Sequence, residues 1–358
     1  MKVVACRPAW VKTSNRFTHL FSTALQDAGW NVLEFSWSPG RIFAPKIIVI
    51  HWPDEMFTPA SVYEHAKVAF KLAILRAAKH VFGARLVWVV HETTPHDINH
   101  KAHWSRKAFL ATLGGAIYLS HASKAAADAD IPELREIPAL ITRHGDYRMD
   151  MQNPPVARRT PGKTLNLVYF GQIRPYKNLD GLIRAASGVS PDDMRVKIIG
   201  WSKDAEFTRA LEALAADAPA VTLDIRSSLV PQSDLEAALD ESDGVVLPYR
   251  KILNSGAALF ALSRNRPVLA PRLGTLPELQ DEIGDDWVKL YAGADILEGD
   301  LRAFSAGLRK TKTQVANLSH YEWGQIGESI GAFFDQLALR PGAARGGELK
   351  TETERTWR

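Results

Sequence analysis

The sequence predicts an α/β protein of two Rossmann-like, doubly wound domains, and three observations carry that prediction. Strand and helix signals alternate through the first 150 residues, a proline-rich break follows, and the alternation then begins again. The second run also contains two strand-to-helix turns suited to holding a diphosphate. At 358 residues, 46% hydrophobic and 23% charged, the chain is long and apolar enough to bury two cores.

In the first run, strands are expected at Lys2 to Cys6, Trp30 to Phe35, Ile47 to Ile50, Arg85 to Val90, Ala116 to Ser120 and Ile137 to Ile141. Helices are expected at Arg16 to Ala28, stopped by Gly29, and at Ala60 to Val81. Residues 153–164, with Asn153-Pro154-Pro155 and Pro161-Gly162, lack apolar periodicity and read as a linker after a domain spanning 1–152. The second domain, 165–318, carries strands at Leu165 to Phe170, Arg195 to Ile199, Val221 to Ile225, Gly244 to Leu247 and Pro267 to Ala270. From Ser319 to Leu339 a helical spacing of Trp323, Ile326, Ile330, Phe333, Phe334 and Leu337 returns, and residues 340–358 read as a disordered tail.

The phosphate turns are specific in kind. Gly171 ends one strand, and Arg174 and Lys177 follow before a helix. Tyr249 to Asn254 form a polar loop, and Ser255-Gly256 open another helix. Unbonded amides and the positive dipole end gather at such a start, and fixed cations complement them around a diphosphate.

Bulk properties narrow the partners. Residues 1–163 hold 21 Lys/Arg against 13 Asp/Glu, a surplus of eight, whereas the remainder has a deficit of four. Every histidine except His320 lies in the basic part. No nucleic-acid-binding motif accompanies this charge, so anionic lipid head groups or a phosphorylated acceptor suit it better. One cysteine, Cys6, excludes a disulfide framework. The N-terminus is too short in apolar residues for a secretory signal, and no uncharged run approaches the roughly 20 residues that span a bilayer. A cytoplasmic protein is expected, with room for peripheral contact at the inner face of the membrane.

The segments YFGQIRPYKNLDGLIRA, IIGW at Ile198 to Trp201, SDGVVLPY and RPVLAPRLGTLPEL, taken in order, resemble the donor domain of GT-B glycosyltransferases, family 4 and its relatives in particular. In the first half, IVIHWPDE, VWVVHETTPHD and IPALITRHGDY are similar to segments of bacterial exopolysaccharide and β-mannosyltransferase-like enzymes. The resemblance implies two facing Rossmann-like domains with an interdomain cleft, the last helix crossing back to the first domain. It implies a nucleoside diphosphate sugar as donor substrate, GDP- or UDP-linked, with no metal and no separate cofactor.

Carried over residue by residue, the resemblance puts Arg174 and Lys177 on the diphosphate, where cations act most strongly on the departing leaving group. Gly171, Tyr249, Asn254, Ser255 and Gly256 complete that site, and Glu278 is the candidate for ribose or sugar contact. One departure is pronounced. The family's pair of glutamates, eight positions apart, is replaced by Ile252 and Phe260. This favours an inverting mechanism, which requires a general base on the acceptor side.

Four titratable residues follow the strand Arg85 to Val90: His91, Glu92, His96 and Asp97. Asp97 is the first candidate for the base and Glu92 the second, while the resemblance places His91 against the donor sugar. His51, Trp52 and Asp54 end another strand, where His51 and Asp54 are suited to acceptor hydroxyls and Trp52 to stacking on a sugar ring. His96 and His144 are further candidates for the acceptor side. Lys67, Lys71, Arg76 and Lys79 punctuate the long helix, with Lys67 and Lys71 on one face, as a membrane-resting segment or as a half-buried helix of the sheet.

Other chemistries find little support. Asp128-Ala129-Asp130 has metal-motif spacing but lies in an alanine-rich helical stretch, and the histidine-rich segment lacks HExxH. The function expected is hexosyl transfer onto a glycan acceptor, lipid-linked through a polyprenyl diphosphate, in exopolysaccharide or surface polysaccharide assembly. Two alternatives stay open: a nucleotide-sugar epimerase of the same fold, and a non-catalytic sugar-nucleotide-binding protein.

Overall fold

The computed structural model describes residues 2–11, 16–37, 45–57, 59, 61–92 and 104–339. The expected tail, 340–358, lies outside them. The chain divides into two units, Met1–Gly145 with His320–Arg358, and Asp146–Ser319.

The first unit contains β1 (Val3–Arg7), α1 (Phe17–Asp27), β2 (Asn31–Glu34), β3 (Ile47–Ile50), α2 (Asp54–Phe57), α3 (Val62–Val81), β4 (Arg85–Val90), α4 (Trp104–Leu110), β5 (Leu113–Tyr118), α5 (His121–Asp130) and β6 (Ala139–Ile141). The second contains β7 (Leu165–Gln172), α6 (Leu179–Ser187), β8 (Met194–Trp201), α7 (Ala205–Ala216), β9 (Val221–Arg226), α8 (Gln232–Glu241), β10 (Gly244–Val246), α9 (Gly256–Ser263), β11 (Val268–Pro271), α10 (Leu276–Ile283), β12 (Val288–Tyr291) and α11 (Glu298–Lys310). The chain then returns to the first unit with α12 (Trp323–Leu339).

Both sheets are parallel and six-stranded, with order β2-β1-β3-β4-β5-β6 in the first unit and β12-β11-β10-β7-β8-β9 in the second. The apolar runs are what a sheet covered on both faces demands: Ile47, Ile48, Val49 and Ile50 are all buried, as are Leu86 to Val90. In each sheet the strand order reverses once, between β1 and β3 and between β7 and β10. Ligands of doubly wound sheets sit outside the carboxyl ends of the strands at such points.

The sequence's apolar spacing in the last helix is realised on one face. Trp323, Ile326, Ile330, Phe333, Phe334 and Leu337 are all buried. Gly327 lies so close to the Ala24 carbonyl of α1 that a Cβ there would collide with backbone. Trp30 meets Phe334 edge-on at 5.4 Å, and Lys2 pairs with Asp335 at 2.5 Å.

Residues 153–164, expected as a linker, have neither helix nor strand, yet they belong to the second unit, which begins at Asp146. Polar contacts hold them there. The Arg158 amide donates to Gln314 O at 2.9 Å, and its guanidinium donates to the carbonyls of Thr311 and Leu308. The Val156 carbonyl accepts from Asn265 and Arg266.

The residues between α9 and β11 anchor this segment. Arg264 is fully buried, donates to Asn153 O at 2.6 Å, and pairs with Asp240 and Glu236. Burial pushes the Glu236 pKa up, but hydrogen bonds from Gln232 and the amides of Gln152 and Asn153, with the Arg264 charge, outweigh it and hold the carboxyl below its usual range. Removing one partner leaves buried carboxylates uncompensated. Arg264→Met is therefore expected to cost about 3 kcal/mol, seen as a lower urea midpoint at unchanged slope. An unaltered midpoint would show that the network does not hold the segment.

Two expectations about charge are corrected. Lys71 does not share the outer face of α3 with Lys67: it is buried, with its ammonium 5.2 Å from the Trp37 ring. Lys79 turns inward and donates to Ala111 O at 2.9 Å. Asp128 is bound to Lys124 one helical turn away, at 2.6 Å, as in an ordinary helix surface pair.

Candidate active site

In the second unit, the residues selected for the donor lie on loops leaving the carboxyl ends of three adjacent strands, β7, β10 and β11. Gly171, at φ +122°, closes β7, and its carbonyl packs against Gly200 so closely that a Cβ at Gly200 would overlap it. A single 3-10 turn, Pro175–Lys177, follows, and Asn178 enters α6 in the left-handed region at φ 56°. Arg174 is exposed, and its Nε and Nη2 donate to the Gln172 side-chain oxygen at 3.0 and 3.1 Å, which aims the guanidinium.

Lys177 sits over the Tyr249 ring, 3.8 Å from its centroid, and 4.9 Å from that of Tyr176. Tyr249 is 1% exposed. It therefore supports the lysine from below and does not itself present a surface to a ligand. The Arg250 amide donates to Tyr176 O at 3.0 Å, joining the two loops, and the Arg250 guanidinium pairs with Asp180 and Asp295.

Ser255 caps α9 by accepting from the Ala258 amide at 3.2 Å. Asn254 and Gly256 flank it. Gly274, at φ +55°, brings the next loop against the carbonyls of Ile252 and Leu253, and Thr275 donates to Leu253 O at 2.9 Å. Glu278 thus stands in the first turn of α10 beside this loop. Phe260 packs on Tyr147 and Phe170 at 5.5 and 5.6 Å. The half-buried Phe260 thus takes part in an aromatic cluster where the resembled family carries its second glutamate.

In the first unit, three histidines converge from three strand ends. His51 follows β3, His91 follows β4, and His144 follows β6. Their rings surround Phe17 of α1 with centroids at 5.9, 4.8 and 4.7 Å. Trp323 of α12 closes the group at 5.4 Å from Phe17, a position available because residue 145 is glycine. His51 Nδ1 and His91 Nε2 are 3.2 Å apart, and Trp52 stacks on His91 at 4.7 Å and 21°.

Burial lowers all three imidazole pKa values, so each is neutral near pH 7. His51 falls to about 3. His144 falls to about 4 through burial, offset in part by its hydrogen bond to Gly145 O. His91 falls well below 6.5, first through burial and then through its histidine neighbours.

This arrangement alters the expected acceptor side. His51 is 1% exposed and bonded to His91, so it does not reach acceptor hydroxyls. Trp52 stacks on that same histidine with one face of its ring. Asp54, at the start of α2, is exposed, and Glu92 is half-buried next to His91. Asp97 and His96 lie outside the described residues.

Sequence reasoning missed Phe17, Trp323 and Arg250, whose partners are distant in the chain and leave no local signal, and Gln172, which bonds Arg174 two residues on. It also missed Asn178, fully buried, neither of whose amide atoms has a hydrogen-bond partner among the described residues. Among the described residues no group of three or more His, Cys, Asp or Glu is placed to hold a metal ion.

Comparison with known proteins agrees with this geometry. Residues 164–307 match the family described as Glycosyl transferases group 1. The chain is 28% identical over 322 residues to GDP-mannose:glycolipid 4-beta-D-mannosyltransferase of Xanthomonas campestris pv. campestris, covering 88% of this chain and 87% of that protein. Among solved structures, Anabaena HepE in complex with UDP superposes with a TM-score of 0.61 at 13% identity, covering 94% of this chain and 98% of that one. Sucrose-phosphate synthase from Thermosynechococcus elongatus gives 0.58 at 13% identity, covering 95% and 97%. The chain is a glycosyltransferase of the GT-B fold, and residues 164–307 of its second unit match the group 1 glycosyl transferase family.

Proposed function

We propose that the enzyme transfers mannose from GDP-mannose to a glycolipid acceptor, in exopolysaccharide or surface polysaccharide assembly. The observation that carries the reading is the identity with the Xanthomonas mannosyltransferase, which runs through both units. The second unit supports it with two fixed cations and a capped helix start at the ends of adjacent strands, a diphosphate site that uses no metal. Arg174 and Lys177 take up the charge that develops as GDP departs. A β-linked product from an α-linked nucleotide sugar requires inversion at the anomeric carbon. The acceptor hydroxyl attacks that carbon, the diphosphate oxygen leaves, and the hydroxyl proton passes to Asp97, with Glu92 as the second candidate.

The acceptor's lipid places the enzyme at the inner face of a membrane. On α3, Tyr63, Phe70 and Val81 are exposed on the side of the helix that carries Lys67, an apolar and cationic surface of the kind that rests on anionic lipid. No described helix is long and apolar enough to cross the bilayer.

Nucleotide binding tests the donor directly. GDP is expected to raise thermal stability selectively over UDP, by about 2.7 kcal/mol at a hundred times its dissociation constant. Lys177→Ala should weaken GDP binding by roughly 1.5–3 kcal/mol, the worth of a charged hydrogen bond. A response to UDP alone would exclude the GDP assignment, and unchanged GDP affinity in the variant would remove Lys177 from the clamp. Radiolabel from GDP-mannose should appear in the glycolipid fraction only when acceptor vesicles are present.

A further inference from the structure

Lys177 stands between two residues that one arginine holds. The Arg250 amide donates to Tyr176 O at 3.0 Å, on the amino side of the lysine. Its guanidinium reaches the Asp180 carboxylate on the other side, Nη1 to Oδ1 at 3.5 Å and Nη2 to Oδ2 at 3.4 Å. Asn178, in the left-handed region at φ 56°, ends the 3-10 turn and opens α6, and this sharp reversal lets Arg250 reach both residues.

Arg250 is itself fixed from a third loop. Its Nε donates at 3.0 Å to Oδ1 of Asp295, between β12 and α11. Asp180 is likewise held twice, since Arg184 donates to its Oδ2 at 2.8 Å from one helical turn away. Burial raises the Asp180 pKa, but the bonds and charges of Arg184 and Arg250 outweigh it and hold the carboxyl below its usual range. With 41% of the Arg250 side chain and 55% of that of Asp295 open to solvent, such pairs add little to folding. What they restrict is position. Tyr249, the neighbour of Arg250, carries the Lys177 ammonium 3.8 Å from its ring centroid, so residues 249 and 250 together meet the lysine head and the chain on either side of it.

We propose that Arg250 is a positioning residue for Lys177: by gripping the chain before and after the lysine, it fixes the place from which the ammonium meets a diphosphate. That Lys177 meets a diphosphate rests on the proposed function; the grip itself does not. Ordering one long side chain on binding costs a factor of about three to ten in affinity, and this is what the grip spares.

Binding of GDP and of UDP, both of which carry the diphosphate, to the full chain tests the role. Arg250→Gln is expected to weaken the better-bound nucleotide by about three- to tenfold. In the Lys177→Ala background the same substitution should change affinity by less than about twofold, because a residue that acts through the lysine has nothing left to position. Equal losses in both backgrounds would mean that Arg250 acts on the ligand directly, and would overturn the proposal, as would wild-type affinity in Arg250→Gln. Asp180→Ala releases the grip from its other end and separates position from charge. Removing a negative charge near an anion tightens binding by electrostatics alone, whereas loss of the grip weakens it. Weaker binding is expected; affinity equal to or above wild type would overturn the proposal. Failure of the diphosphate reading looks different, because Lys177→Ala by itself would then bind both nucleotides as the wild type does, and both readings would fall.

Discussion

Between pH 6.5 and pH 5 the protein is expected to lose about 2 kcal/mol of stability for each of His51 and His144, with His91 acting in the same direction. In the unfolded chain these residues take up protons near pH 6.5. In the folded first unit, burial holds His51 to about 3, His144 to about 4 and His91 well below its ordinary value. The unfolded state therefore binds more protons throughout this window, and stability falls as pH falls. The contribution is fully present above pH 6.5 and is lost progressively below it. Together His51 and His144 approach about 4 kcal/mol at pH 5, a large share of the stability of many domains, and His91 adds to the loss.

The carboxylates of the second unit act in a different window. Asp180, Asp224, Asp234 and Glu236 are held below their ordinary values, so their contributions are lost only below about pH 4. Urea midpoints at pH 7.5, 6 and 5, followed by hydrogen exchange, should show protection lost first around β3, β4 and β6. A midpoint unchanged between pH 7 and pH 5 would mean that the histidines take up protons in the folded state, against the burial observed.

An Asp97→Asn enzyme is expected to transfer sugar about 10²–10⁴-fold more slowly while binding GDP as the wild type does. Inversion in one step leaves the acceptor proton with a base within hydrogen-bond reach of the attacking oxygen. Burial opposes the protonation of His51 and His91, which are already bonded to each other. The candidates are the carboxylates that follow β4 in the chain, Asp97 first and Glu92 second. Glu92→Gln is the control. Should it carry the large loss and Asp97→Asn turn over normally, Glu92 is the base; should both retain wild-type rates, no base stands in this segment. Isotope labelling of the product anomer settles inversion independently.

Much of the architecture was legible in the sequence. The boundaries of β3 and β4 coincide with the apolar runs Ile47 to Ile50 and Arg85 to Val90, because strands buried on both faces permit nothing polar in between. Strand β12, only four residues long and half-buried at Lys289 and Leu290, has no such run and was missed. The unit boundary was misplaced for a related reason. Proline-rich, aperiodic sequence reports the absence of regular structure, whereas residues 153–164 are held by Arg264 and Arg266, more than a hundred positions later.

The candidate donor-side residues come from local signals: a glycine at a strand exit, cations within one turn, and a serine at a helix start. Each is a property of a few consecutive residues, and the order of the strands brought them to neighbouring loops. The sequence by itself thus determined the two α/β units, the phosphate turns and the loss of the paired glutamates at Ile252 and Phe260. Only the tertiary structure decided that Tyr249 supports Lys177, that Trp52 covers His91, and that His51 turns inward. The reason is physical: side-chain burial and hydrogen-bond pairing depend on which strand ends are adjacent, and β1, β3 and β4 bring together residues that the chain keeps forty positions apart.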